Sequence, residues 1–276
     1  LDKLILKKTM HVGAYTFYST VFFFGTFALL PFSEPISLIN FIWALVSGLS
    51  FGFATWTMFL GLEYGDATHV VPFIGASTAI FVYLFSSFIL NESFSEYQII
   101  GLALLIIAAF LFSHEKENRH SVAHPSFTWA LLSGFLFAVS HVTAKHFYGD
   151  YSFLTGLVWT KGLAGIVAFV TLISLSTRRE LFKVKVKEKN QNTFWIIVAN
   201  KVLAIGGTLA IQYAIAIGSV AIVSALVGLQ YALILIFVGA STILLPRFFS
   251  EYFTKKKVVI EVLAIILVAL GIFFLI

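Results

Sequence analysis

The 276 residues are 59% hydrophobic and 11% charged, against about 25% charged in an ordinary soluble domain. With 31 Phe and no long polar stretch there is no room for a separate soluble domain, and zero Cys excludes disulfide frameworks, thiolate metal sites and cysteine redox chemistry. A formal net charge of +5 would suggest nucleic acid in a soluble protein, but here most basic residues fall beside apolar runs, where they set orientation.

A bilayer core about 30 Å thick asks for about twenty apolar residues per spanning helix. The chain predicts such spans at 12–31, 38–61, 67–90, 96–113, 127–146, 152–175, 193–217, 219–244 and 258–276. No short apolar segment with a processing site precedes them, so no cleavable signal peptide is expected. The sequence opens on Leu1 rather than Met, and the expectation is an incomplete N-terminus.

Two gap-free registers expose an internal repeat. A shift of 153 lays Phe41 on Phe194, Gly65 on Gly218 and Gly75 on Gly228, and a shift of 142 lays Lys3 on Lys145 and Ala14 on Gly156. Leu1 then matches Thr143, so the partner of span 127–146 is missing apart from its last residues. The completed pattern has ten helices, five per half, and an odd count turns the halves opposite ways across the membrane, as in inverted-repeat transporters. The expected division is a first repeat at 1–113, a loop at 114–126 and a second repeat at 127–276.

Charge orients these spans. With alternating crossings, one side receives Lys3, Lys7, Lys8, Lys116, Arg119, the Lys/Arg-rich loop 176–192, and the loop 245–257 with Arg247, Lys255, Lys256 and Lys257. The other side has Lys145 with Glu34, Glu92, Glu96 and Asp150. The positive-inside rule predicts that loops 176–192 and 245–257 are cytoplasmic and the C-terminus is outside, in a cytoplasmic membrane.

The segment Gly61-Leu-Glu-Tyr-Gly-Asp-Ala-Thr-His-Val-Val-Pro72, then Leu90-Asn-Glu-Ser-Phe-Ser-Glu-Tyr-Gln98 and a further helix, resembles the EamA family of the drug/metabolite transporter superfamily. The second half repeats the pattern at Gln212-Tyr-Ala-Ile-Ala-Ile-Gly-Ser219 and Val223-Ser-Ala-Leu-Val-Gly-Leu-Gln-Tyr231, and Leu1-Asp-Lys-Leu-Ile-Leu6 is similar to the end of the family's first helix. The resemblance implies an all-α polytopic membrane protein of two inverted five-helix repeats. It also implies a central cavity lined by the first four helices of each half, peripheral fifth and tenth helices, and small metabolites, amino acids or drugs as substrates. The loop Pro31-Phe-Ser-Glu-Pro35 lacks the basic residues that many members carry there. The related small multidrug resistance proteins use a membrane-embedded Glu; by the Lys register its second-half counterpart is Phe137 and its first-half counterpart falls in the missing segment, so cation-for-proton exchange of that type is poorly supported.

Ionisable groups deep in a bilayer cost several kcal/mol unless they face a wet cavity or a partner. Lys161 lies about nine residues into its span and Lys201 about eight into the next, each roughly 12–13 Å deep. Their repeat counterparts are Ser19 and Gly48, so this positive charge belongs to the second half alone. Lys201, Thr208 and Gln212 share a helical stripe flanked by Asn200, because eleven residues make nearly three turns. Ser224 and Tyr231 share a face of the following span, with Gln230 beside Tyr231. Two lysines with amides and a phenol suit a carboxylate or phosphate better than a lipophilic cation.

Each candidate has a plainer reading beside it. Lys161 or Lys201 could be a structural lysine bonded to carbonyls at a helix break, and Asn200 and Gln230 could simply join helices. His141 on an apolar helix and His69 near Pro72 are more often packing residues, as are Trp56 and Trp159. Glu261, next to Lys257, reads as an interfacial ion pair. The loop holding His114, Glu115, Glu117, His120 and His124 resembles a metal site only by chance composition, so no metal and no cofactor is expected. Gly48-Leu-Ser-Phe-Gly52 reads as close helix packing, and Lys183-Val-Lys-Val-Lys-Glu-Lys189 as a topology anchor.

The expectation is a secondary transporter, not an enzyme, that moves a small anionic or zwitterionic metabolite by alternating access. The substrate-binding candidates are Lys161, Asn200, Lys201, Gln212, Gln230, Tyr231 and His141. Gly206-Gly207 and Gly162 are read as points where helices approach or bend. Its partners are that substrate, the bilayer and a coupling proton or ion, as a monomer or homodimer without nucleic acid. The alternatives are an exporter of amino acids or drugs, and a membrane-embedded enzyme, which would need clustered acids or metal ligands near one interface.

Overall fold

A computed structural model describes residues 11–65, 67–113, 125–182, 191–227, 229–230, 233 and 255–275, with backbone alone at 68, 69, 112, 113, 182, 191–202, 255–258 and 261. Every regular element among them is helical. The helices are α1 (Val12–Val21), continued as a 3₁₀ stretch Phe22–Phe32, then α2 (Leu38–Tyr64), α3 (Ala67–Ile89), α4 (Glu96–Ser113) and α5 (Pro125–Asp150). They are followed by α6 (Phe153–Gly162), a 3₁₀ turn Leu163–Gly165, α7 (Ile166–Thr171), α8 (Leu175–Phe182), α9 (Gln191–Ile217) and α10 (Lys255–Leu275). A further helical run covers 220–227.

Among the described residues five segments are long and apolar enough to cross a bilayer: Val12–Phe32, Leu38–Tyr64, Val70–Ile89, Pro125–Asp150 and Phe153–Thr171. They coincide with the first, second, third, fifth and sixth predicted spans. The sixth is not one continuous α-helix as read from hydropathy, since the 3₁₀ turn divides it, and the predicted loop after it begins with the helix α8. Spans 219–244 and 258–276 fall partly, and loop 114–126 almost wholly, outside the described residues.

Local chemistry explains where helices start. Ser37 caps α2 by accepting from Asn40 N (3.2 Å). Ser95 and Gln98 form a capping box at α4, with Gln98 N donating to Ser95 Oγ (3.3 Å) and Ser95 N donating to Gln98 Oε1 (3.1 Å). Within the spans, hydroxyls bond back to their own helices, as Thr16 to Val12 O, Thr20 to Thr16 O and Thr55 to Phe51 O. Polar side chains are thereby satisfied where a bilayer offers no water.

Helix α5 is the hub. It packs along α2 and α3, while α4 lies between α3 and α10 and α1 packs with its 3₁₀ extension against α6 and α7. Small residues make the contacts close: a Cβ on Gly48 would come 2.8 Å from Thr160 O and from Ala164 N, and one on Gly52 2.8 Å from Ala164 O. The Gly48/Gly52 pair therefore seats α2 on the backbone of the α6–α7 segment within one chain, the packing expected of it. At the α4–α10 crossing the relation is reciprocal, with Gly101 facing Gly271 O and Gly271 facing Gly101 O.

Hydrogen bonds sort the loops to two ends. At one end Glu34 Oε1 accepts from Ser152 N (3.3 Å), Glu34 N donates to Thr155 Oγ1 (2.9 Å) and Glu92 reaches Ser219. There the exposed Tyr151 hydroxyl accepts from Asn40 Nδ2 and Ser37 N (3.2 Å each), bonds that favour the phenolate and lower its pKa. At the other end His11 N donates to both oxygens of Glu180 (3.0 Å each), and Arg178 bonds to the carbonyls of Leu172 and Ile173. The first end carries Glu34, Glu92 and Asp150 and is called the acidic end below.

Candidate functional site

Lys161 is the penultimate residue of α6, just before the 3₁₀ turn, and is 1% exposed. The helix break is there, but the lysine does not bond to its carbonyls: Nζ has no hydrogen-bond partner among the described residues. It stands 3.8 Å from the centroid of the Phe51 ring instead. Phe51 is positioned because Gly48 and Gly52 on the same helix let α2 touch the α6–α7 backbone. A ring face gives an ammonium about 0.5–2 kcal/mol, less than the several kcal/mol that desolvation costs. The electrostatic balance at Lys161 is therefore open to an anion.

The surroundings are aromatic and small. Phe51 meets Phe23 edge-on at 5.4 Å and Phe137 at 5.5 Å, and Phe137 lies 6.1 Å from the His141 ring. Phe137 thus holds a phenyl ring in the aromatic wall that includes Phe51 and His141. The Nδ1 of His141 is buried with no hydrogen-bond partner among the described residues. One turn away on the wall, Ser47 Oγ donates to Ser140 O at 2.9 Å and pins α2 to α5. Two nitrogens without hydrogen bonds among the described residues face a wall without a described carboxylate.

Toward the acidic end, Gln212 of α9 is 1% exposed, and its Oε1 accepts from the Tyr148 hydroxyl of α5 (3.1 Å). Tyr148 was not among the expected site residues; a tyrosine inside an apolar run needs a partner for its hydroxyl, and that is the signal it offered. Ser224 is buried with its Oγ unbonded among the described residues.

The remaining candidates separate. Asn200 and Lys201 lie in α9, where their side chains are outside the described residues, and Tyr231 is outside them altogether. Gln230 is helical and exposed. Trp159 packs on Phe27 and Phe41, and Trp56 stacks on Phe53, the packing roles expected of them. Among the described residues nothing lies within 4 Å of a Cβ at Gly206 or Gly207, whereas a Cβ on Gly162 would strike the Phe27 ring. The side chains of His69 and Glu261 and the histidine loop 114–124 lie outside the described residues, and among the described ones no group of three His, Asp or Glu could hold a metal.

Comparison with known proteins agrees with this architecture. Residues 3–114 match the model of the EamA-like transporter family. One solved crystal structure aligns over 99% of this chain and 89% of its own, with a TM-score of 0.64 at 14% identity, a likeness of fold. Among curated proteins no match was found. The matched family is one of the drug/metabolite transporter superfamily, and the likeness covers residues 3–114.

Proposed function

We propose that this EamA-like chain is a secondary transporter that moves a small anionic or zwitterionic metabolite across the cytoplasmic membrane by alternating access. The observation that carries the reading is Lys161, a buried ammonium whose described neighbour is a phenyl face rather than a carboxylate or carbonyl. The anionic group of the substrate sits at Lys161, with His141 as second contact and Phe51 and Phe137 as the apolar wall.

The scaffold of the reading is two inverted five-helix repeats. Supporting it, the packed pairs α1 with α6–α7 and α4 with α10 are the second with the seventh and the fifth with the tenth helix of a ten-helix plan. Such pairs straddle a pseudo-two-fold axis, and the reciprocal Gly101–Gly271 contact has the self-complementary form such an axis produces. The end opposite Glu34, Glu92 and Asp150 faces the cytoplasm. Energy comes from a gradient or from exchange.

The test is uptake into liposomes holding the purified protein, with organic acids, sugar phosphates, amino acids and lipophilic cations offered in turn. Uptake of an acid or phosphate that Lys161→Met abolishes supports the reading. Uptake of lipophilic cations, unaffected by that substitution, overturns it.

A further inference from the structure

At the acidic end, α9 stops at Ile217, the chain bends at Gly218, and a new helix runs from 220. Its first turn is held from another part of the molecule. Glu92 Oε2 accepts from Ser219 Oγ (2.8 Å) and Oε1 from Val220 N (3.3 Å), so a carboxylate caps the positive end of that helix. Glu92 reaches there because Asn91 takes a left-handed turn (φ 52°) after α3, and Glu92 N donates back to Ser86 O (3.2 Å). On the other side of the bend, Lys145 Nζ donates to Ala216 O (3.1 Å), one of the last carbonyls of α9.

These charged contacts border open clefts next to a buried apolar cluster. Two clefts, of about 290 and about 320 Å³, both bordered by Glu92 and Lys145, bring solvent to them. Packed beside them is one buried apolar cluster that includes Val82, Val142, Tyr148, Ile215, Val220 and Ala221, with Leu90 and Phe94 against it. Within that cluster the Tyr148 hydroxyl donates to Gln212 Oε1. Apolar layers resist water but do not fix one arrangement, whereas charge-assisted bonds are directional and, beside water, exchangeable.

We propose that Glu92 and Lys145 form a clamp that holds the two helices meeting at Gly218 across the acidic end and so keeps the Lys161 site closed on that side. The clamp rests on the alternating-access reading above but not on which ligand Lys161 binds. Glu92 comes from the first half of the chain and Ser219 from the second, so movement of one half against the other must break this contact. Releasing it frees the bend at Gly218 to open a path past Tyr148.

Because the 276 residues contain no cysteine, one introduced thiol is the only reactive one. His141→Cys, beside Lys161, reports opening through its labelling rate with a membrane-impermeant, anionic thiosulfonate in whole cells. The clamp predicts slow labelling in the otherwise intact chain. Adding Glu92→Ala with Lys145→Met raises the rate roughly tenfold, the scale expected for losing one or two bonds to charged groups. Glu92→Asp in place of Glu92→Ala recovers part of the slow behaviour. An unchanged rate in the clamp-free protein overturns the proposal. If the double variant is not recovered folded, Ser219→Ala removes a single donor and should still raise the rate about two- to threefold. Ser93→Cys, exposed in the same cleft, shows which side the acidic end faces; if it labels only from inside, the same comparison is made in inverted vesicles.

Discussion

Two lysines on neighbouring helices have opposite surroundings. Lys145, at the end of α5, is partly exposed, borders two open clefts and donates to the carbonyl of Ala216 beside a helix break. Lys161, in α6, is sealed from solvent, lies at a helix break of its own and leaves the carbonyls there unused. The structural role considered for a buried lysine, bonding carbonyls where a helix is interrupted, is therefore the role of Lys145. What separates the two is the cost of their charge: near water an ammonium needs only one neutral acceptor, while in a dry aromatic wall it needs a counter-charge.

The largest effect that would break or sharpen this contrast is at Lys161. Lys161→Met is expected to lower affinity for the transported anion by roughly 30- to 1,000-fold, the 2–5 kcal/mol scale of a lost buried charge contact, measured by equilibrium binding. The same variant should leave the ligand-free protein as stable as before or more so, because a methionine removes an unpaired buried charge. A large loss of ligand-free stability would instead make Lys161 a structural lysine. Next is Gly52→Val, whose side chain must enter the backbone of Ala164; a loss of about 1–3 kcal/mol in thermal unfolding, with displacement of Phe51 from Lys161, is expected. Tyr148→Phe should cost about 1 kcal/mol through the Gln212 bond, read by the same unfolding measurement. Lys145→Met is the smallest, about 0.5–1 kcal/mol, and should not alter ligand affinity at Lys161.

Much of this was legible in the sequence. Hydropathy alone located the long helices to within a few residues, because a bilayer imposes both length and apolarity on each span. Lys161 and His141 stood out as ionisable groups in apolar runs, and the structure brings both to one aromatic wall. Phe51, Tyr148 and Glu92 did not stand out. Their partners lie on other helices, at Lys161, Gln212 and Ser219, and no periodicity within one span encodes a contact between spans. The 3₁₀ turn at Leu163–Gly165 was signalled only by Gly162, since the rest of its surroundings read as an ordinary apolar helix. Lys145 was counted as a charge marking orientation, and its bond to Ala216 O became visible only once α5 and α9 were placed side by side.

The most direct test of the anion site at Lys161 is a thermal-shift series in detergent on wild type and Lys161→Met, with organic acids, sugar phosphates, amino acids and lipophilic cations as ligands. The account predicts that an acid, phosphate or amino acid raises the unfolding temperature of wild type and leaves Lys161→Met unmoved. Stabilisation by lipophilic cations alone, or equal stabilisation of both proteins by the anions, would contradict it.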